Sequence, residues 1–246
     1  MPDNFVENSV ERRLEKWASA PSGPELSPET QRKIQAVLTS SLLPVTPIPS
    51  QSRLVFELLA VFTVCAVGLT AILNKAAFHL MSGVQMALIG AILATGGILF
   101  SFTLARRMVP GSRWGIPFSL MLTVSGRLPI AGTALLFPWR TSGPFVAEGW
   151  PCAALELIIA VPAAFVYWLI ARRGALFASP GLGATVTGLA AFLALIPLQF
   201  QCMFQQAPHL LLWHGGAAVL LIGLGALIGE LGRRWAAVGR RSAAPA

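Results

Sequence analysis

Apolar residues gather into six long blocks, Leu54 to Leu73, Val84 to Leu104, Trp114 to Phe137, Cys152 to Ala171, Gly181 to Phe200 and His209 to Gly229. Each is about 20 residues long, enough for a helix to cross the hydrocarbon core of a bilayer. The pattern predicts six spanning helices. Before them the spacing changes. Val6, Val10, Leu14 and Trp17 recur at three- and four-residue intervals, and a second stripe of Ile34, Val37, Leu38 and Leu42 follows Ser27-Pro28-Glu29. That triplet reads as a cap, a first-turn proline and an N-terminal acid, so two short amphipathic helices are expected. Ala20 to Pro28 between them is a Pro/Gly/Ser linker, and Leu43 to Ser52, with Pro44, Pro47 and Pro49, is an extended spacer. The predicted fold class is all-α: an arm and linker over residues 1–53, a six-helix transmembrane bundle over 54–229 and a basic tail over 230–246.

Composition excludes a soluble domain, since 55% of the residues are hydrophobic and only 11% charged. The distribution of Lys and Arg then orients the bundle. Six precede the first block (Arg12, Arg13, Lys16, Arg32, Lys33, Arg53), three lie in the second loop (Arg106, Arg107, Arg113), two in the fourth (Arg172, Arg173) and four in the tail (Arg233, Arg234, Arg240, Arg241). The remaining loops carry only Lys75 and Arg140. By the positive-inside rule both termini are cytoplasmic, and a multi-pass membrane protein is expected. Trp114, Trp139, Trp150, Trp168, Trp213 and Trp235 fall near block ends, as an interfacial aromatic belt requires. The net charge of +8 belongs to these helix ends and to anionic lipid rather than to nucleic acid. Met1 to Ala20 has no apolar run of the signal-peptide kind, so the first block is expected to direct insertion.

Candidate chemistry divides between the two faces. Inside, two helices as small as those of the arm cannot bury their stripes well against each other, so they either lie on the bilayer or dock on a partner. Mixed acidic and basic residues on their polar faces favour docking, through Val6, Val10, Leu14, Trp17, Ile34, Val37, Leu38 and Leu42. Outside, the topology collects Cys152, Cys202, His209 and His214, with His79 on the same side. Thiolate and imidazole are the ligands of zinc and other thiophilic metals, and two cysteines on an oxidising face can also form a disulfide. No CxxC or HExxH motif decides between these, and His209 and His214 would stand roughly 140° apart on a regular helix. Cys65, in mid-block, reads as packing. Within the spans, Glu57 is close enough to the first block's start to reach the headgroups, whereas Arg127 and Glu156 are expected to pair between adjacent helices. Gly225 and Gly229 form a GxxxG and Ala184 with Gly188 a small-xxx-small pair, both devices for close packing, within the chain or in a homodimer. A small transporter using Arg127 and Glu156, or a membrane redox protein using haem on His79 and His214 or the cysteines as a couple, are the competing classes. The halves show no inverted repeat, and Ser125 lacks the G-x-S-x-G setting of a hydrolase.

Several short motifs, in order, resemble the NrsF-type integral membrane anti-sigma factors. They are Ala105-Arg106-Arg107-Met108-Val109-Pro110-Gly111-Ser112-Arg113, Gly149-Trp150-Pro151-Cys152, Arg172-Arg173-Gly174-Ala175, the run Gly183 to Ala191, and the ending that joins Cys202, His209 and Trp213-His214. The resemblance covers most of the chain. It implies a six-helix membrane protein that holds an extracytoplasmic-function sigma factor inactive and releases it under heavy-metal or oxidative stress. It further implies that paired extracytoplasmic cysteines take part in sensing, which carries over here to Cys152 and Cys202. The chain departs from the family pattern in a longer N-terminal arm and in Met203, which follows Cys202 where a proline is more typical. No enzymatic activity is expected, and the expected partners are the sigma factor and the lipid bilayer.

Overall fold

A computed structural model describes residues 27–41, 49–73, 76–109, 118–141, 143–174 and 179–242. The chain divides into two compact units, Met1–Pro47 and Ile48–Ala246. In the first, helix α1 spans Pro28–Ser41. Its start follows the expected chemistry, with the Ser27 hydroxyl accepting the Thr30 N–H at 3.2 Å and Glu29 paired to Lys33 at 2.8 Å. Ile34 and Val37 are exposed on it. Val6, Val10, Leu14, Trp17 and Leu42, and the side chain of Leu38, lie outside the described residues.

The second unit holds α2 (Gln51–Ile72), a 3-10 turn (Ala76–His79), α3 (Gly83–Met108), α4 (Phe118–Leu136), α5 (Phe145–Ala171) and α6 (Pro180–Gln201). The last helix, α7, opens as Ala207–His209, winds as a π-helix over Leu210–Gly215 and continues as Gly216–Ser242. No strand occurs among the described residues. Six of these helices are long and apolar enough to cross a membrane, in agreement with the six apolar blocks. The boundaries shift most at the end of α7, which continues to Ser242 instead of stopping near Gly229, and at the start of α5, which begins at Phe145 and carries Pro151 and Pro162 inside it. Proline inside a spanning helix is tolerated where neighbouring groups and local adjustment satisfy the freed carbonyls. Cys152 consequently lies about two turns into α5 rather than at its first residue.

Helix α6 is the axis of the bundle, packing against α2, α3, α5 and α7. Its apolar window is 78% buried, against 17–44% for the other five. Small side chains make this centrality feasible. Gly188 admits the ring of Phe100, and Gly183 faces the Gly225 carbonyl so closely that a methyl group on either would collide with the opposite helix. Gly229 backs onto Ser179 in the same way. The GxxxG of α7 is therefore used within the chain, against α6, and these two glycines offer no seam to a second copy. Thr185 and Thr187 dispose of their hydroxyls by donating to the carbonyls of Gly181 and Gly183, at 2.5 and 3.0 Å.

The two ends of the bundle differ in chemistry. At one, Gly174 approaches the backbone of Met108, the Arg107 guanidinium lies by Gly181, and Gly229 meets Ser179. These contacts gather the Arg106, Arg107, Arg172 and Arg173 helix ends, with Glu230 gripping Arg233 at 2.6 and 2.7 Å and Arg234 at 2.8 Å. Glu57, near the start of α2, pairs with Arg53 at 2.9 Å. At the other end, Gln85 donates to the Leu136 carbonyl at 2.6 Å and the Ala207 N–H to that of Pro138 at 3.0 Å, tying α3, α4 and α7.

The expected Arg127–Glu156 pair does not form. Arg127 is exposed on α4, whereas Glu156 is fully buried on α5 and both its oxygens lack a hydrogen-bond partner. The reason lies in the order of packing: α4 rests on α3 and the start of α7, while α5 packs on α6 and α7. Helices that are neighbours in sequence are here not neighbours in space. A double-mutant cycle on Arg127→Leu and Glu156→Leu should give a coupling energy within about 0.5 kcal/mol of zero in thermal unfolding. Glu156→Leu alone should stabilise by roughly 1–3 kcal/mol, since it removes a buried group with no partner. A coupling of about 3 kcal/mol or more would restore the pair.

Candidate metal centre

Three chain segments deliver four side chains to the end of the bundle away from the paired arginines. Helix α5 supplies Cys152. Helix α6 stops at Gln201, and Cys202 caps it with its N–H donating to the Leu198 carbonyl at 2.9 Å. The turn that follows is held by two amides: Gln199 Nε2 donates to Gln205 Oε1 at 2.9 Å, and Gln205 Nε2 donates to the Cys202 carbonyl at 2.7 Å and the Gln199 carbonyl at 3.1 Å. This clamp fixes where Cys202 stands relative to α7, which contributes His209 and His214.

The two histidines converge through the π-wound turn. In an α-helix residues five apart diverge, which is the basis of the roughly 140° separation read from the sequence. The Gly216 N–H reaches back to the Leu211 carbonyl, five residues earlier, as well as to that of Leu212, four earlier. In a helix closed by such bonds, residues five apart stack as residues four apart do in an α-helix. The imidazoles stand edge to face with ring centroids 5.6 Å apart.

Cys152 Sγ lies 3.8 Å from Cys202 Sγ, and Cys202 Sγ lies 3.4 Å from His209 Nε2. One ligand atom from each of Cys152, Cys202, His209 and His214 falls within 4.8 Å of all the others. Both thiols are free. The site is closed to solvent on most sides: Cys202, His209 and His214 are buried and Cys152 partly so. Phe145 presents its ring edge-on to His209 at 6.4 Å and packs on Trp213 at 6.0 Å, while Phe204 covers His209 at 5.3 Å. Gly149 leaves the space that the Trp213 indole fills. The hydrogen bond to Cys152 and then burial push the Cys202 thiol above its ordinary range. Neither ring nitrogen of His214 has a hydrogen-bond partner, although the residue is 2% exposed. Two thiols and two imidazoles so placed are a donor set able to hold one metal ion.

All four residues singled out on the outer face are therefore brought together. His79 is exposed on the 3-10 turn and takes no part in the cluster, and Cys65 is exposed on α2 rather than packed in the core. The glutamine clamp and the Phe145–Trp213 cover were not anticipated, because no local pattern distinguishes these residues from ordinary span-end side chains.

The described residues form a bundle of six helices long and apolar enough to cross a membrane, with a possible soft-ligand centre at one end and arginines at the other. The chain belongs to the NrsF family, described as negative regulator of sigma F, whose pattern matches residues 38–235. Its family function is negative regulation of a sigma factor, and the family consists of regulatory anti-sigma factors, not enzymes. No curated protein and no solved structure matches the chain.

Proposed function

We propose that this protein holds a sigma factor of the extracytoplasmic-function type at the cytoplasmic face of the bacterial inner membrane. It releases that factor when a heavy-metal ion or an oxidant acts on Cys152 and Cys202 at the opposite face. The observation that carries this reading is the convergence of Cys152, Cys202, His209 and His214, from separate helices, at the end of the bundle opposite the arginines. Arginine-rich ends face the cytoplasm, so the thiols face out and both termini lie inside. Soft metal ions bind the two sulfurs in preference to oxygen ligands. A peroxide acts differently: the thiols give up their hydrogens, an S–S bond forms, the O–O bond breaks, and hydrogen peroxide leaves as two waters, an alkyl hydroperoxide as water and an alcohol. Either event draws the α5 and α6 ends into a new relation, and the change is felt in the bundle only because it favours one packing over another. Inside, the arm offers Ile34 and Val37 on α1, joined by Val6, Val10, Leu14, Trp17, Leu38 and Leu42, as an apolar surface for the sigma factor.

The test is a sigma-dependent transcription reporter in cells carrying Cys152→Ser or Cys202→Ser. Each variant should remain in the membrane at the wild-type level and lose the response to cadmium and to peroxide. An undiminished response in both variants sinks the sensing claim.

A further inference from the structure

We infer that Cys152, Cys202, His209 and His214 hold one zinc ion in the resting protein, and that this ion keeps the π-wound turn of α7 in register. The distances carry the first half. For tetrahedral zinc, with Zn–S about 2.3 Å and Zn–N about 2.0–2.1 Å, the S···S edge is about 3.8 Å and the S···N edge about 3.5 Å. Two of the six edges, Cys152–Cys202 and Cys202–His209, are 3.8 and 3.4 Å, and all six lie within 4.8 Å. Four protein ligands complete the coordination shell and leave no open position, which is the arrangement of a structural rather than a catalytic zinc. His214 supplies an independent sign. A buried imidazole with both nitrogens unpartnered lacks the hydrogen bonds such groups almost always make, and a metal ion among the neighbouring sulfurs would give one of the two a partner.

The second half follows from helix geometry. A π turn is intrinsically rarer than an α turn and is found mostly at functional sites. Here it is what sets His209 and His214 side by side, so an ion bound to both resists its rewinding. Relaxation of Leu210–Gly215 to α winding adds about one residue's rotation, roughly 100°, to everything beyond it. Each position facing α6 would then be taken by the residue before it. Leu224 and Ile228, now exposed, would replace Gly225 and Gly229 against Gly183 and Ser179, where there is no room for a methyl group. The α6–α7 seam must open at the arginine-bearing end. Loss of the ion at one end is thereby converted into separation of two helices at the other. The zinc site stands on geometry alone, whereas its link to sigma release rests on the function proposed above.

Two measurements test this on the full chain. Elemental analysis of protein purified in detergent without added metal should find one zinc per chain, falling at least about tenfold in Cys202→Ser and in His214→Ala. Cobalt exchanged into the wild type should show the intense visible bands of a tetrahedral thiolate site. Wild-type protein with no zinc and no cobalt bands overturns the site, even if the cysteine variants have lost the stress response. The register is tested by deleting Leu212, which is exposed on the π turn. The deletion makes α7 continuously α-helical with the two histidines four apart, still on one face. It should keep its zinc and hold the sigma factor even under cadmium or peroxide. A deletion variant that responds like wild type, or that has lost zinc while remaining helical by circular dichroism, overturns the register coupling. Zinc present, with cysteine variants that respond normally, leaves the site intact and refutes the sensing function instead.

Discussion

Gly225→Leu is expected to give high sigma-dependent transcription with no stress applied. The glycine faces the carbonyl of Gly183 and the side chain of Thr187, so a branched side chain there cannot be accommodated by rotamer changes alone. Part of the obstruction, the Gly183 carbonyl, is backbone, and the two helices must part. Overpacking of this kind costs roughly 1–3 kcal/mol where the surroundings yield and more where they do not. Helix α6 is the least able to yield, being packed on α2, α3 and α5 as well. The substitution therefore mimics the open seam without touching Cys152, Cys202 or the histidines. Gly183→Leu should behave alike from the other side. Gly223→Leu is the control, because nothing lies near its missing side chain. It should leave regulation unchanged and, by helix propensity, stabilise by about 1 kcal/mol. Membrane levels of all three variants, by immunoblot, separate constitutive release from loss of the protein. Gly225→Leu present at the wild-type level with transcription still fully repressed would dissociate the seam from the output.

Why the seam could be recognised but not placed shows where sequence reasoning reaches its limit. Length and uniform hydropathy are local properties, so the six helices were legible, and small residues four apart announced close packing at Gly225 and Gly229. The partner of that packing is a property of the whole bundle. The same holds for Arg127 and Glu156, one on each of two consecutive helices that the bundle places apart because α6 and α7 take the space beside α5. The start of α5 shows a local limit: the apolar block begins at Cys152, whereas the helix begins at Phe145 and carries Pro151 inside it. The centre itself was half legible. Topology alone put Cys152, Cys202, His209 and His214 on one face, but the five-residue spacing of the histidines argued against a joint site. Only a local departure from α winding reverses that, and neither composition nor periodicity around Leu210–Gly215 signals it.

Removal of residues 1–47 should uncouple the sensor from its output. The six-helix unit begins at Ile48 and is compact in itself, so the truncated chain should keep its helicity and its melting temperature within a few degrees. If the arm holds the sigma factor, the truncated protein no longer retains it, and transcription rises to the level seen without the regulator and stops responding to cadmium or peroxide. Ile34→Asp with Val37→Asp in the full chain should produce much of the same effect. Both positions are exposed on α1, so the charges disturb no core, yet an apolar docking surface loses its driving force when carboxylates must be desolvated on binding. Co-purification of the sigma factor with each form reads the effect directly. The family pattern begins at residue 38 and so leaves Val6, Val10, Leu14, Trp17, Ile34 and Val37 outside it. A truncated chain that still retains the sigma factor would accordingly move the docking surface to the arginine-bearing end of the bundle. There the α6–α7 seam lies closest to whatever the arginines hold, and its opening would act on the partner without an intermediary arm.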